Sequence, residues 1–403
     1  MSLVLQRPYE FIPPHRGSMW PTFIQTFRIV DHYLRIKEGV RSFEVRNLDA
    51  FQSALRARKG ILLAPNHCRY ADPLVMGWPA RLAKTHVYAM ASWHLFNKSW
   101  LDGFAIRKMG GFSIHREASD RQSLETAIEI LATAERPLIL FPEGTTSRMN
   151  DDLKDLLDGI GFIARSAAKR SLKRDGNPVV MLPVAIKYLC KTDCHPWLSA
   201  CASQLESHLG LKSSDRLNVV NRVRRLADYW LETNEVQLFG SKQSGAYVTR
   251  RKSLANEILD RSCDRLSLSV DHEDVSARIR AMRSEIVTKR FMGSVNDLGQ
   301  LESAAKDTVL CQELITFTDH YLAGDAVSDT RLVETLQRLQ EICLGRAVQD
   351  FPLHAVIEFG AEINIPSEKA PRGQRDPLLD KLEGQLSSLI RGLSSEANVI
   401  DSL

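Results

Sequence analysis

Over the first half of the chain, short apolar runs alternate with longer stretches of helical period. The runs Phe43–Val45, Ile61–Ala64, Val87–Ala91, Phe112–Ile114, Leu138–Phe141 and Val179–Ile186 read as strands, and Arg121–Ala134 and Gly159–Arg170 as two of the helices between them. Uninterrupted apolar runs mark strands buried on both faces, and their alternation with helices predicts an α/β domain with a mostly parallel central sheet flanked by helices. Ligands of such sheets sit at the carboxyl ends of the strands.

Past residue 194 the texture changes. Glycine and proline thin out, and sets such as Leu332, Val333, Leu336, Leu339 and Ile342, or Val275, Ile279, Met282 and Ile286, recur at steps of three and four. Strand-like alternation returns at Leu353–Ile365, between Pro352 and Pro366, and Pro366–Pro371 reads as a short loop. A lone strand needs a partner, so this one is expected to complete the earlier sheet, which makes the helical region an insertion. Leu378, Leu379, Leu382, Leu386, Leu389 and Leu393 then predict a closing helix. The expected units are an N-terminal amphipathic segment, 1–39, the first part of the α/β domain, 40–194, a large all-helical insertion, 195–349, and the last strand with its closing helix, 350–403.

Composition narrows the classes. The 403 residues are 44% hydrophobic and 25% charged, which excludes wholesale disorder, and the net charge of +4 gives no case for a nucleic-acid partner. There is no apolar run of about 18 residues, so no membrane-spanning helix is expected. Nor is there a basic stretch followed by an apolar one at the N-terminus, so no signal peptide is expected. Seven scattered cysteines suit a reducing cytosol. The charge is local: between Arg28 and Lys59 eight basic residues face four acidic ones, an excess equal to the whole formal charge. Trp20, Phe23, Ile24, Phe27, Val30 and Leu34 lay a helical apolar stripe beside it. Such a segment either packs on its own domain or lies in the headgroup region of a membrane.

Four constellations carry candidate chemistry. Asn66-His67-Cys68-Arg69-Tyr70-Ala71-Asp72 follows a strand, and a turn there can bring the Asp72 carboxylate to one nitrogen of His67 while the other takes a proton. That is a base with its orienting acid, for which a substrate hydroxyl supplies the nucleophile; a loop histidine beside a capping aspartate has the same spacing. Phe141-Pro142-Glu143-Gly144-Thr145-Thr146-Ser147-Arg148 follows another strand and offers close backbone approach at Gly144, hydroxyl donors, and a bidentate phosphate ligand in Arg148. Gly110 to Arg116 places an arginine at a strand end. Pro183, inside an apolar run, marks an edge, bulge or turn. Cys190, Cys194, His195 and Cys201 lack the paired spacing of a zinc site, and no metal is expected.

In this order, and all at strand ends, these segments resemble the glycerolipid acyltransferases of the PlsC-like, lysophosphatidate acyltransferase type. His67 and Asp72, preceded by Asn66, match that family's Asn/Ser-His followed by four residues and Asp; Gly110 and Arg116 match its second motif, Phe141 to Thr145 its Phe-Pro-Glu-Gly-Thr, and Pro183 its fourth. The resemblance covers roughly 40–190 and 350–370; 195–349 resembles nothing nameable. It implies a glycerol-3-phosphate acyltransferase-like α/β fold and transfer of a fatty acyl group from acyl-CoA or acyl-carrier protein, as co-substrate, to a lysophospholipid, with no cofactor. His67 is then the general base and Asp72 its orienter. Arg116 and Arg148 hold the acceptor phosphate, and Glu143 and Gly144 line its site with Asn66, Gly110, Thr145 and Pro183. Cys68-Arg69 stands where common lysophosphatidate enzymes carry Gln-Ser, and His115 where an aspartate usually precedes the arginine. The acceptor therefore stays open between 1-acylglycerol 3-phosphate, placed first, glycerol 3-phosphate and a lyso-aminolipid. An inactive scaffold that binds lipid or carrier protein is the alternative of a different class. An acylated acceptor also favours the membrane reading of the N-terminal stripe, as peripheral attachment of a cytoplasmic protein to the anionic inner face of the membrane.

Overall fold

Among the described residues ten strands order the chain: β1 (Val40–Arg46), β2 (Gly60–Pro65), β3 (Tyr88–Ser92), β4 (Gly111–Ile114), β5 (Leu138–Ile139), β6 (Val179–Cys190), β7 (Ala326–Ser328), β8 (Leu353–Phe359), β9 (Ile363–Asn364) and β10 (Val399–Asp401). They are seen in a computed structural model that describes residues 3–174, 176–212, 217–270, 274–293, 297–316, 320–366, 368 and 374–401. Of the loop expected at Pro366–Pro371, residues 367 and 369–371 lie outside the described residues.

Eight strands form one sheet in the order β1-β8-β6-β2-β5-β3-β4, with β9 also on β6. All its pairs are parallel except those β6 makes with β8 and β9. Every residue of β2 and β6 is buried, as their continuous apolar sequences require of central strands. Alternate residues serve opposite faces. Ile61, Leu63, Val180, Leu182 and Val184 join one core, and Leu62, Ala64, Val179 and Met181 join the other, which is covered by the helices Arg121–Ala132, Gly159–Arg174 and Pro377–Ser394.

The insertion returns to the sheet as β8, which lies between β1 and β6. Three of its helices, His195–His208, the first half of Val219–Phe239, and Asp329–Leu344, bury their apolar faces in the first core, the last of them against β6. Tyr247–Leu266, Val275–Met292 and Leu298–Leu314 build a separate core that takes in Leu5 from the N-terminus. The N-terminal segment also binds the far edge of the sheet, where Ser113 N–H donates to Ile12 O at 3.0 Å.

Several expectations need correction. The insertion is not all-helical: β7 lies within it and pairs antiparallel with β10 at the end of the chain. The strand expected over Leu353–Ile365 is two strands, β8 and β9, interrupted at 360–362. Pro183 explains the interruption. It sits inside β6 opposite Ala64, and its carbonyl faces the β8–β9 side, where it accepts Gly360 N–H at 2.8 Å. The missing proline N–H therefore falls on the side where the ladder is broken. The N-terminal stripe is not one helix but two, Met19–Thr26 and Ile29–Lys37, separated where Arg28 takes a left-handed φ of 51°.

Candidate active site

At the carboxyl end of β2 the chain leaves the sheet at Asn66, and the side chain of Asn66 prolongs the ladder. Its amide Nδ2 donates to Ile186 O at 3.1 Å, and Ile186 N–H donates to its Oδ1 at 2.7 Å. With both polar atoms on the β6 backbone and the residue buried, Asn66 braces the strand end. The next residue, His67, is thereby aimed off the end of the sheet. Its N–H donates to Glu143 Oε1 at 2.6 Å, its carbonyl accepts from Ser147 N–H at 2.6 Å, and its ring stacks on Phe141 with centroids 4.0 Å apart.

Asp72, the first residue of the short helix Asp72–Val75, is wholly buried. Its Oδ2 lies 2.9 Å from His67 Nδ1 and accepts Arg69 N–H at 2.8 Å, and its Oδ1 accepts the Tyr188 hydroxyl at 2.6 Å. A carboxylate only accepts, so Nδ1 carries the imidazole proton and Nε2 is left as the acceptor. Nε2 lies 3.2 Å from Thr146 Oγ1, and the His67 side chain keeps 14% of its surface exposed. The neighbouring Cys68 is no nucleophile. It is buried with Sγ 3.7 Å from Ile186 O, and burial pushes its thiol well above the ordinary range.

Glu143 sits behind His67. One carboxylate oxygen takes His67 N–H and the other takes Lys154 N–H at 3.1 Å; burial pushes the carboxyl up to about 8. In this position it holds two backbone segments together. Gly144 takes a φ of 68°, and a Cβ there would come within 2.3 Å of Leu157 Cδ1, so the turn needs glycine. Its carbonyl accepts from Arg116 Nη1 at 2.7 Å; burial lowers the Arg116 pKa. Thr145 lies half-buried on the same loop. Arg148 lies over the Tyr70 ring, 4.6 Å from its centroid, and pairs with Glu341 of the insertion.

His67, Asp72, Arg116, Glu143, Gly144, Thr145 and Arg148 thus converge on the loops that follow β2, β4 and β5. Asn66, Gly110 and Pro183 serve the framework. Gly110 has a φ of 97°, and a Cβ there would come within 2.5 Å of Val87 O, so it turns the chain into β4 ahead of Arg116. Sequence reasoning missed Tyr188 and Asn150. Asn150 brackets Tyr188 from the side, accepting its N–H at 2.8 Å and donating to its carbonyl at 2.6 Å. The available signal was the position of Tyr188 two residues beyond the predicted end of the Pro183 strand.

Two clefts, of about 510 and about 400 Å³, lie away from His67: one beside His195, Asn218 and Ile400, the other at the amino ends of the strands beside Lys59 and Arg136. Near the cysteine-rich stretch, Asp193, Cys194 and His195 bring their ligand atoms within 4.8 Å of one another. Asp193 Oδ1 and His195 Nδ1 are already paired at 3.0 Å, and burial pushes the Cys194 thiol up to about 12, far from the thiolate a metal takes.

The N-terminal helices and the helix Trp100–Lys108 share an exposed apolar surface. Trp20 packs edge-on against Phe104 at 5.5 Å, while Phe27 is 67% and Trp100 76% exposed. Among the described residues, no helix is long and apolar enough to cross a membrane. The basic excess does not follow this surface as one face. Arg46 pairs with Glu44 and Glu396, and Lys59 with Glu362. Lys59 also precedes the amino end of β2, a strand length of roughly 20 Å from His67.

Residues 42–187, which hold this site, match the Acyltransferase family model. The chain is 34% identical over 110 residues to a 1-acyl-sn-glycerol-3-phosphate acyltransferase of Streptococcus pneumoniae, an alignment covering 27% of this chain and 38% of that relative.

Tyr188→Phe removes one donor from a buried carboxylate, so it should cost about 1–3 kcal/mol in urea denaturation. Wild-type stability would show that the hydroxyl does not carry Asp72.

Proposed function

We propose that the chain is an O-acyltransferase that moves a fatty acyl group from an acyl thioester, acyl-CoA or acyl-carrier protein, to the hydroxyl of a lysophospholipid, foremost 1-acylglycerol 3-phosphate. The observation that carries it is the pair His67 Nδ1–Asp72 Oδ2 at 2.9 Å, with Nε2 beside Thr146 Oγ1 at 3.2 Å on a side chain that keeps 14% of its surface exposed. The similarity to the pneumococcal 1-acyl-sn-glycerol-3-phosphate acyltransferase supports the choice of acceptor.

In this reading His67 Nε2 takes the proton of the acceptor hydroxyl as its oxygen bonds to the thioester carbonyl carbon. The tetrahedral intermediate collapses, the C–S bond breaks, and the imidazolium returns its proton to the departing thiolate. Asp72 fixes the tautomer and stabilises the imidazolium, and the base catalysis it supports at His67 is worth about 10²–10⁴ in rate. Arg116 and Arg148 take the acceptor phosphate, Arg116 while also holding the Gly144 carbonyl. No acyl-enzyme forms, in keeping with the inert thiol of Cys68.

An acceptor with an acyl chain sits in a bilayer, and the exposed surface around Phe23, Phe27 and Trp100 is suited to lie in the anionic headgroup region of the inner face. Attachment of this kind is peripheral, and the flanking Arg28, Arg35 and Lys37 make it salt-sensitive.

His67→Ala should lower acyl transfer from labelled acyl-CoA to 1-acylglycerol 3-phosphate by at least about 10² in kcat. Undiminished transfer would sink the mechanism. In co-sedimentation with anionic vesicles, Phe27→Ser together with Trp100→Ser should release most of the bound protein, since each buried aromatic contributes about 2 kcal/mol. Equal binding by the double variant would rule this surface out.

A further inference from the structure

The helix Asp329–Leu344, which belongs to the insertion and has no counterpart in the matched segment, lies along the active-site loops. Residues at steps of three, three and four each reach one of those loops. Arg331 Nε pairs with Asp151 Oδ2 at 2.5 Å, Glu334 Oε1 accepts Asn150 N–H at 3.2 Å, Gln337 Oε1 accepts from Arg69 Nη2 at 2.5 Å, and Glu341 pairs with Arg148. These contacts lock the helix in register, so Glu341 is presented to Arg148 by the fold. Its second oxygen, Oε2, takes Arg338 Nη1 at 2.5 Å. Glu341 therefore bridges two arginines, and if Arg148 is drawn away the carboxylate still has Arg338.

We propose that Glu341 makes the acceptor site selective for a phosphate monoester over a phosphate diester. The inference rests on the reading of Arg148 as a ligand of the acceptor phosphate. A diester carries one negative charge. To reach Arg148 it must displace a carboxylate of equal charge that is already tethered beside it, and the exchange gains nothing. A monoester carries about −1.5 to −2 at pH 7 and three strong acceptor oxygens, so it outcompetes the carboxylate for a planar guanidinium. Both side chains are largely shielded from water, at 10% exposure for Arg148 and 18% for Glu341, so screening does little to level the difference. Selectivity of this kind comes from a built-in repulsion toward the wrong ligand as much as from attraction to the right one.

The test compares two acceptors with the same acylglycerol, 1-acylglycerol 3-phosphate and its anionic diester 1-acylglycerophosphoglycerol, through the ratio of their kcat/KM values. The wild type should favour the monoester, and Glu341→Gln, which keeps the shape and removes the charge, should narrow the ratio by about tenfold, chiefly through a lower KM for the diester. If Glu341→Gln does not fold, Glu341→Asp shortens the reach to Arg148 and should narrow the ratio as well. An unchanged ratio, or a wild type with no preference, overturns the proposal. Arg148→Gln separates this from the reading beneath it. A raised monoester KM with no effect of Glu341→Gln rejects the filter alone, whereas unchanged KM values in Arg148→Gln reject the phosphate role of Arg148 itself.

Discussion

The arrangement around His67 depends on one buried carboxylate. Asp72 has no contact with solvent, and a charge taken out of water is stable only where donors replace the lost hydration. Three strong donors do so: the imidazole Nδ1–H, the Arg69 backbone and the Tyr188 hydroxyl. They come from different parts of the chain. Two belong to the loop that carries His67 itself, while Tyr188 belongs to β6 and enters from the adjacent strand. The carboxylate thus ties the loop to the sheet, and the orientation of the histidine follows from the position of a strand. Because each donor supports a charge and not a neutral group, losing any one costs more than an average hydrogen bond.

A second tier of contacts holds that first set in place. Asn66 and Asn150 use side-chain amides to imitate strand neighbours of β6, one on Ile186 and one on Tyr188. Glu143 joins the backbones of His67 and Lys154. The insertion adds the third support, since Glu334 holds Asn150 and Gln337 holds Arg69. Three of its helices also bury their apolar faces in the first core, so the inserted half of the chain contributes both to the core and to the loops around the site.

Much of this was legible in the sequence where a residue acts through its neighbours along the chain. The strand runs of β2, β4 and β6, the pairing of His67 with Asp72 five residues later, and the return of β8 to the sheet are all local patterns, or follow from the need of a strand for a partner. What escaped depends on contacts across long separations. The position of Tyr188 just beyond the Pro183 run places it at the strand end, but which residue its hydroxyl meets, 116 positions away, is not a local pattern. Asn66 and Glu143 fit a motif read as substrate-binding, yet they are buried with their polar atoms on backbone groups. The break between β8 and β9 was invisible because it reflects the absent N–H of Pro183 on the neighbouring strand. The basic excess between Arg28 and Lys59 looked like a single surface only while the chain was treated as a line; folding pairs Arg46 and Lys59 with acids near the chain end.

The central claim is that Asp72 holds His67 with the proton on Nδ1 and the acceptor lone pair on Nε2. The most direct test is ¹⁵N NMR of imidazole-labelled protein at alkaline pH, where imidazole side chains are neutral. The protein has 11 histidines, so the His67 signals are assigned by their loss in His67→Gln. The account predicts a protonated-type Nδ1 and an unprotonated Nε2 for His67. The reverse pattern, or two nitrogens averaged between tautomers, would contradict it.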